Sequence, residues 1–324
     1  MTMQLIRRLI VYFLTISVVL VAGALLIEYA LEARDVARLM PGQTFAQVGD
    51  ARIRYRLLGV NNRGTPVVFL SGLAGCVEQT DLLQIPLSTE VPTLAYDRAG
   101  FCFSQGSQAH TAEQQADELI GLLRVLKIDK PVLLVAYSYA AQTARVFAGR
   151  YPQQTAGMYL IDPWMPELKV LSPIRYKYVA FSGRAAVEGL IQASLGYIRL
   201  SQRLDNRQGP EARADQITEA ANAGRHLHWA LLTEWLAFPV TTQQTIQAPI
   251  PRTMPVEVIY TAHQFFDEET SNIVAKMYAD LVARSSRGKL VEFEHVDHTH
   301  IMDRSPMLEP MIARIKQLAK EGAP

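Results

Sequence analysis

The chain has 324 residues, with 32 Lys and Arg against 31 Asp and Glu, for a formal net charge of +1. That balance excludes a nucleic-acid-binding surface or an acidic tail as the organising feature. Hydrophobic residues at 49%, charged residues at 19%, and 19 Gly and 17 Pro spread along the chain exclude disorder and collagen-like repeats, leaving a folded chain with a sizeable core. Two cysteines, Cys76 and Cys102, permit at most one intrachain disulfide and form no Cys-x-x-Cys pair.

From Leu9 to Ile27 the chain carries 19 residues without a charge, close to the ~20 that a helix needs to cross ~30 Å of hydrocarbon. Arg7 and Arg8 precede the run, while Glu28, Glu32 and Asp35 follow it among Arg34 and Arg38. This bias keeps the N-terminus cytoplasmic and puts the rest of the chain on the extracytoplasmic (periplasmic or extracellular) side. Residues 1–35 are thus expected to be a single-pass membrane anchor and connector. A cleaved signal peptide is the competing reading, because Ala22-Gly23-Ala24 suits a peptidase, yet the apolar run continues through Leu25, Leu26 and Ile27. A buried core helix is a third, weakened by the lack of a polar face.

After a connector around Met40-Pro41-Gly42, alternation over 51–59 predicts an antiparallel strand. Apolar strands are expected at 66–72, 93–97, 132–138, 157–162, 256–261 and 290–296. Thr111 and Gln114 form a capping box before a helix whose apolar stripe is Leu119, Leu122, Leu123 and Leu126. Further helices are expected at 139–150, 268–284 and 306–320. Apolar strands alternating with amphipathic helices imply a mostly parallel sheet covered on both faces. The stretch 163–250 has no convincing strand and carries helical stripes around 184–204 and 211–237, as expected of a helical insertion over one sheet edge. Core segments 36–162 and 251–324 flank it.

The chemistry concentrates where strands end. An apolar strand over Val132–Tyr137 runs into a helix with Ser138 at the junction, flanked by small residues Ala136 and Ala140. Such a turn lifts the serine clear of the sheet, and the helix N-terminus offers amide donors and positive dipole where an oxyanion would develop. A serine there is by itself more often a helix cap than a nucleophile. Three other segments change that weighting. They are Ser71-Gly72-Leu73-Ala74-Gly75 after one strand, Tyr96-Asp97-Arg98-Ala99-Gly100-Phe101-Cys102-Phe103-Ser104 after the next, and Asp297-His298-Thr299-His300-Ile301-Met302-Asp303-Arg304 after the last. Together they resemble the α/β-hydrolase superfamily, over roughly 45–162 and 251–320.

The resemblance implies an α/β-hydrolase fold, with an eight-stranded-type, mostly parallel sheet flanked by helices, a helical cap and, here, an N-terminal transmembrane helix. It implies Ser138 as nucleophile and the backbone amides of Leu73 and Tyr139 as the oxyanion hole. The family's spacing to the Asp-Arg pair selects His298 as the base, with His300 second and His295 inside the strand. The acid is expected at Asp267, after the seventh strand, with Asp162 at the end of the sixth as the alternative. The departures are Ala136 and Ala140 where the elbow usually has glycine, Ser71 where His-Gly is common, and Cys102 where glycine is common. Asp97 and Arg98 are expected to pair with each other in the core. Cys76 and Cys102 lie in neighbouring loops, so both a disulfide and two buried thiols stay open.

The resemblance further implies a membrane-anchored serine hydrolase that cleaves a small-molecule acyl ester, a lipophilic acyl ester among the candidates, with no cofactor, no metal and no nucleic-acid partner. A serine at the elbow argues against the dehalogenase and epoxide-hydrolase branches, which need a carboxylate nucleophile. Haloperoxidase-type chemistry on the same triad is a further possibility. The rival from another class is a non-catalytic relative that binds a small ligand or a partner protein. The histidine and carboxylate cluster at 295–303 is weak evidence for a metal.

Overall fold

The computed structural model describes residues 3–106, 110–168, 175–205, 212–263, 268–298, 300–302 and 306–321. The chain opens with α1 (Met3–Leu39), a helix of 37 residues whose most apolar window has no residue buried among the described residues. It is long and apolar enough to cross a membrane once.

Strands β1 (Thr44–Val48), β2 (Ala51–Leu58), β3 (Val67–Leu70), β4 (Thr93–Tyr96), β5 (Val132–Tyr137), β6 (Thr155–Ile161), β7 (Val256–His263) and β8 (Gly288–Asp297) form one sheet in the order β1-β2-β4-β3-β5-β6-β7-β8. Only β1 with β2 and β2 with β4 pair antiparallel; the other five pairings are parallel. All residues of β3, β4 and β5 are buried, which is why these segments read as continuous apolar runs.

The period of two assigns alternate residues to opposite faces. Val68, Leu70, Leu94, Leu134 and Ala136 pack with α3 (Ala112–Val125), α4 (Ala141–Arg150) and α9 (Glu268–Ala283). Val67, Phe69, Ala95, Leu133 and Val135 pack with α2 (Asp81–Leu87) and α10 (Leu308–Glu321). Each fully buried leucine or isoleucine in these layers contributes roughly 2 kcal/mol. Helix α3 starts as its sequence signature requires: Gln114 N–H donates to Thr111 Oγ1 at 3.3 Å and Thr111 N–H donates back to Gln114 Oε1 at 3.0 Å.

Between β6 and β7 the described residues include the helices α5 (Arg175–Ser194), α6 (Tyr197–Asp205), α7 (Arg213–Ala223) and α8 (Arg225–Gln247). The two long helical stripes of the insertion are each divided. Gly196, at φ +73°, turns the chain between α5 and α6, and Gly224 separates α7 from α8. Helix α8 continues to Gln247 with Pro239 inside it, beyond the expected end near 237.

Candidate active site

The site is assembled at one end of the sheet, from the residues that follow β5, β6 and β8. Ser138 follows β5 directly and has φ +53°, a left-handed backbone that a non-glycine residue adopts only where its surroundings hold it there. The space around it explains the small neighbours: Ala136 and Ala140 are almost wholly buried. Ala140 itself has φ −65°, so a methyl group there introduces no backbone strain, and alanine serves where the family usually has glycine.

His298 comes one residue after β8 ends, and its Nε2 lies 2.9 Å from Ser138 Oγ. On the other edge of the ring, Nδ1 lies 2.5 Å from Asp162 Oδ2. Asp162 is 1% exposed and sits one residue past β6 at φ +42°. Its second oxygen, Oδ1, accepts the backbone N–H of Thr261 from β7 at 3.3 Å. The carboxylate therefore spans two strands and meets the ring with the tautomer that leaves Nε2 as the acceptor for the serine proton.

Of the two carboxylates read from the sequence, Asp162 is the one on His298, and Asp267 lies outside the described residues. His300 is exposed and its Nδ1 lies 2.8 Å from Asp297 Oδ1. His295 falls within β8, and Asp303 lies outside the described residues.

The 71–75 loop passes against the serine. A Cβ on Gly72 would lie 2.9 Å from the Tyr137 ring and 3.4 Å from Ser138 Cβ, so glycine is what lets this backbone approach. Gly72 N–H donates to Gln79 Oε1 at 2.8 Å, and Ser71 Oγ donates to the Cys76 carbonyl at 2.9 Å. Leu73 comes next, its side chain half exposed, and Tyr139 sits at the start of the turn into α4, its side chain buried.

A disulfide joins Cys76 to Cys102, tying the end of this loop to the turn after β4. Cys102 has φ +49°, which accounts for the family's frequent glycine at that position. Asp97 and Arg98 do not pair with each other as expected. Arg54 Nε donates to Asp97 Oδ2 at 2.6 Å, and Arg54 Nη2 donates to Glu78 Oε2 at 2.6 Å. Asp97 Oδ1 also accepts the Val77 N–H at 2.8 Å. Burial disfavours the Arg54 charge, but the Asp97 and Glu78 carboxylates outweigh it and hold the group above its ordinary pKa.

Arg98 turns the other way. Its Nη1 donates to the Ser71 carbonyl at 3.1 Å, and its Nη2 reaches Glu234 Oε2 of α8 at 3.4 Å. Glu234 Oε1 accepts from Gln115 Nε2 of α3 at 2.6 Å. Burial pushes the Glu234 carboxyl up, against the pull of Arg98 and Gln115. Phe238 of α8 stacks on Tyr139 at 6.1 Å and meets Trp164 at 6.2 Å, bringing the helical insertion over the turn that carries Ser138.

Two contributors were not singled out from the sequence. Tyr137 donates its hydroxyl to the His298 carbonyl at 2.6 Å and stacks its ring on the imidazole at 5.1 Å. Gln79 holds Gly72. Tyr137 stood in the serine motif as an unremarked neighbour; nothing in the sequence near Gln79 marks it.

Comparison with known proteins agrees with this architecture. In the curated set, the chain is 35% identical over 101 residues to the uncharacterised protein YqjL of Bacillus subtilis (strain 168), covering 31% of this chain and 40% of that protein. It is 32% identical over 105 residues to 1-acylglycerol-3-phosphate O-acyltransferase ABHD5 of Rattus norvegicus, covering 31% of this chain and 30% of that one. The chain thus spans less than half the length of these curated relatives. Among solved structures, Cfl2 from Burkholderia cenocepacia superposes with a TM-score of 0.66 at 17% identity, covering 86% of this chain and 95% of that one. Epoxide hydrolase VrEH1 from Vigna radiata superposes at 0.62 and 15% identity, covering 85% and 97%. Residues 65–240, more than half of the chain, match the model of the alpha/beta hydrolase fold family, and the protein belongs to that family.

Proposed function

We propose that the protein is a membrane-anchored serine hydrolase acting on a carboxylic ester, with its folded domain on the extracytoplasmic side. The observation that carries the reading is the hydrogen-bonded line from Ser138 Oγ to His298 Nε2 at 2.9 Å and from His298 Nδ1 to Asp162 at 2.5 Å, at a serine with φ +53°.

In the proposed reaction His298 Nε2 takes the Ser138 proton as Oγ attacks the ester carbonyl, and the new oxyanion accepts N–H donors from Leu73 and Tyr139. The imidazolium is stabilised by Asp162, which stays ionised. His298 then protonates the departing alkoxide, leaving an acyl group on Ser138. Water, deprotonated by the same nitrogen, attacks the acyl carbonyl, and the acid leaves as Ser138 regains its proton. Asp162 takes the acid role because its carboxylate has both oxygens engaged, one with His298 and one with Thr261 N–H, at nearly complete burial. Anchoring by α1 is supported by its bare apolar window, and the sidedness by Arg7 and Arg8 before the span.

The test is fluorophosphonate labelling of the full-length protein in detergent. Wild type is expected to label, and Ser138→Ala and His298→Ala are expected not to. A folded wild type that fails to label would remove the catalytic reading in favour of a ligand- or partner-binding relative.

A further inference from the structure

The uncharged run of α1 ends at Ile27, and the next residue, Glu28, is buried to 1% exposure on a helix that is otherwise largely bare. The turn between α5 and α6 covers it. Arg199 donates from Nε and Nη2 to Glu28 Oε1 at 2.9 and 2.7 Å, and from Nη1 to Asp35 Oδ2 at 2.5 Å. A Cβ on Gly196 would lie 3.1 Å from Glu28 Oε2. One turn further along α1, Arg225 Nη2 donates to Glu32 Oε2 at 2.8 Å. At the helix end, Arg213 Nη2 donates to the carbonyls of Leu39 and Pro41 at 3.0 and 2.8 Å. Three arginines of the helical insertion therefore grip the segment just past the span, and the contact nearest the span is made at its first charged residue.

Around that contact the insertion is apolar on its outside. Val187, Ile191 and Leu195 recur every four residues along α5 and just past its end, and Tyr197, Leu200 and Leu204 follow on α6, each between 43% and 60% exposed. Residues three and four apart share one face of a helix, so each helix carries one apolar stripe, and the two stripes meet at the turn that holds Glu28.

We infer that this α5–α6 corner beds into the bilayer surface beside α1, so that the insertion faces lipid and the site beneath it receives an ester whose hydrocarbon chain is already partitioned in the membrane. The inference rests on the anchor proposed above. Continuity selects the bilayer as the occupant. A helix is about 10–12 Å across, so a turn packed on residue 28 lies within one helix diameter of the edge of the hydrocarbon. An interfacial helix buries its apolar face ~5–10 Å into that boundary. Tyr197 and the exposed Arg203 are the residue types that sit at headgroup level.

The test uses the full chain in phosphatidylcholine vesicles with a minority of phosphatidylglycerol. Both native cysteines are in the disulfide, so a single introduced thiol can carry an environment-sensitive fluorophore. Ile16→Cys reports the span, Ile191→Cys and Leu200→Cys the corner, and Lys276→Cys the exposed side of α9, which packs on β7 and β8. Doxyl-labelled lipid is expected to quench at 191 and 200 about threefold more than at 276, and aqueous iodide about threefold less. Arg199→Ala is expected to lower lipid quenching in the Leu200→Cys background and to leave it unchanged in the Ile16→Cys background. Corner labels that behave like 276 while 16 is lipid-quenched would overturn the inference and leave the anchor standing. A label at 16 that meets iodide and not lipid would overturn both. Corner labels shielded from both quenchers would mean that a second copy or another protein covers this face, which also overturns it.

Discussion

Asp162→Asn is the sharpest perturbation of the proposed triad, because the side chain keeps its shape while one oxygen becomes an NH2 group. Both Asp162 oxygens face donors, His298 Nδ1–H at 2.5 Å and Thr261 N–H at 3.3 Å, so asparagine satisfies only one. If its oxygen stays on Thr261, the NH2 forces His298 to accept at Nδ1 and to point Nε2–H at Ser138, which removes the base. The loss expected from that tautomer is about 10⁴-fold in kcat, or about 5 kcal/mol at 1.36 kcal/mol per decade. If the oxygen faces His298 instead, two N–H groups oppose each other in a buried site, at a cost of about 1–3 kcal/mol in stability. The imidazolium then also lacks its carboxylate. The assay is kcat and kcat/KM on a p-nitrophenyl ester alongside the fluorophosphonate labelling rate, with thermal unfolding as the fold control. Activity within tenfold of wild type at unchanged Tm would refute the reasoning. The same outcome accompanied by a collapse in Asp267→Asn would move the acid to Asp267.

The remaining expectations are independent of that carboxylate. Gly72→Val puts a branched side chain where a Cβ already comes 2.9 Å from the Tyr137 ring. It is expected to push the 71–75 loop off Ser138 and cut kcat by roughly 10²-fold, in line with loss of an oxyanion donor; a wild-type kcat would show that the loop takes no part. Reduction of the disulfide, or Cys76→Ser with Cys102→Ser, opens a loop with sequence separation 26. The expected loss is about 3.5 kcal/mol, read as a drop of about 6 °C in Tm; an unchanged melt would remove the crosslink from the stability account. Burial raises the Glu118 carboxyl to about 8, only partly offset by its bond to Ala99 N–H and by Arg98. A carboxyl raised above its unfolded value keeps its proton when folded, so the stability it contributes is full below the unfolded pKa and is lost as pH rises through about 8. Chemical denaturation between pH 5 and 8 is expected to show that decline, limited to about 1.4 kcal/mol per pH unit, and Glu118→Gln is expected to flatten it; parallel slopes in the two proteins would contradict the assignment.

What the sequence disclosed and withheld follows from the range of the interactions involved. The buried parallel strands were legible because residues covered on both faces leave an unbroken apolar run, and Ser138 and His298, which the structure brings to 2.9 Å of each other, both stand in local motifs. Strand β1, five residues at the sheet edge with one buried side chain, carries too little pattern to stand out. The breaks in the helical insertion depend on single glycines, Gly196 and Gly224, in otherwise continuous stripes. That Asp162 meets His298 was beyond local reading, since the two lie 136 positions apart on different strand ends. The partner of Asp97 was hidden for the same reason: Arg54 lies 43 residues earlier, on β2, and the neighbouring Arg98 offered a nearer but incorrect pairing.

The Tyr137 hydroxyl bonded to the His298 carbonyl has a mechanical meaning. The phenol belongs to the strand that ends at Ser138, so the loop bearing His298 is latched to the frame that bears the serine. In the proposed reaction this latch keeps Ser138 Oγ and His298 Nε2 in one frame, at their 2.9 Å spacing. In Tyr137→Phe the hydroxyl latch is gone, and the His298 loop is expected to lose its fixed register against Ser138.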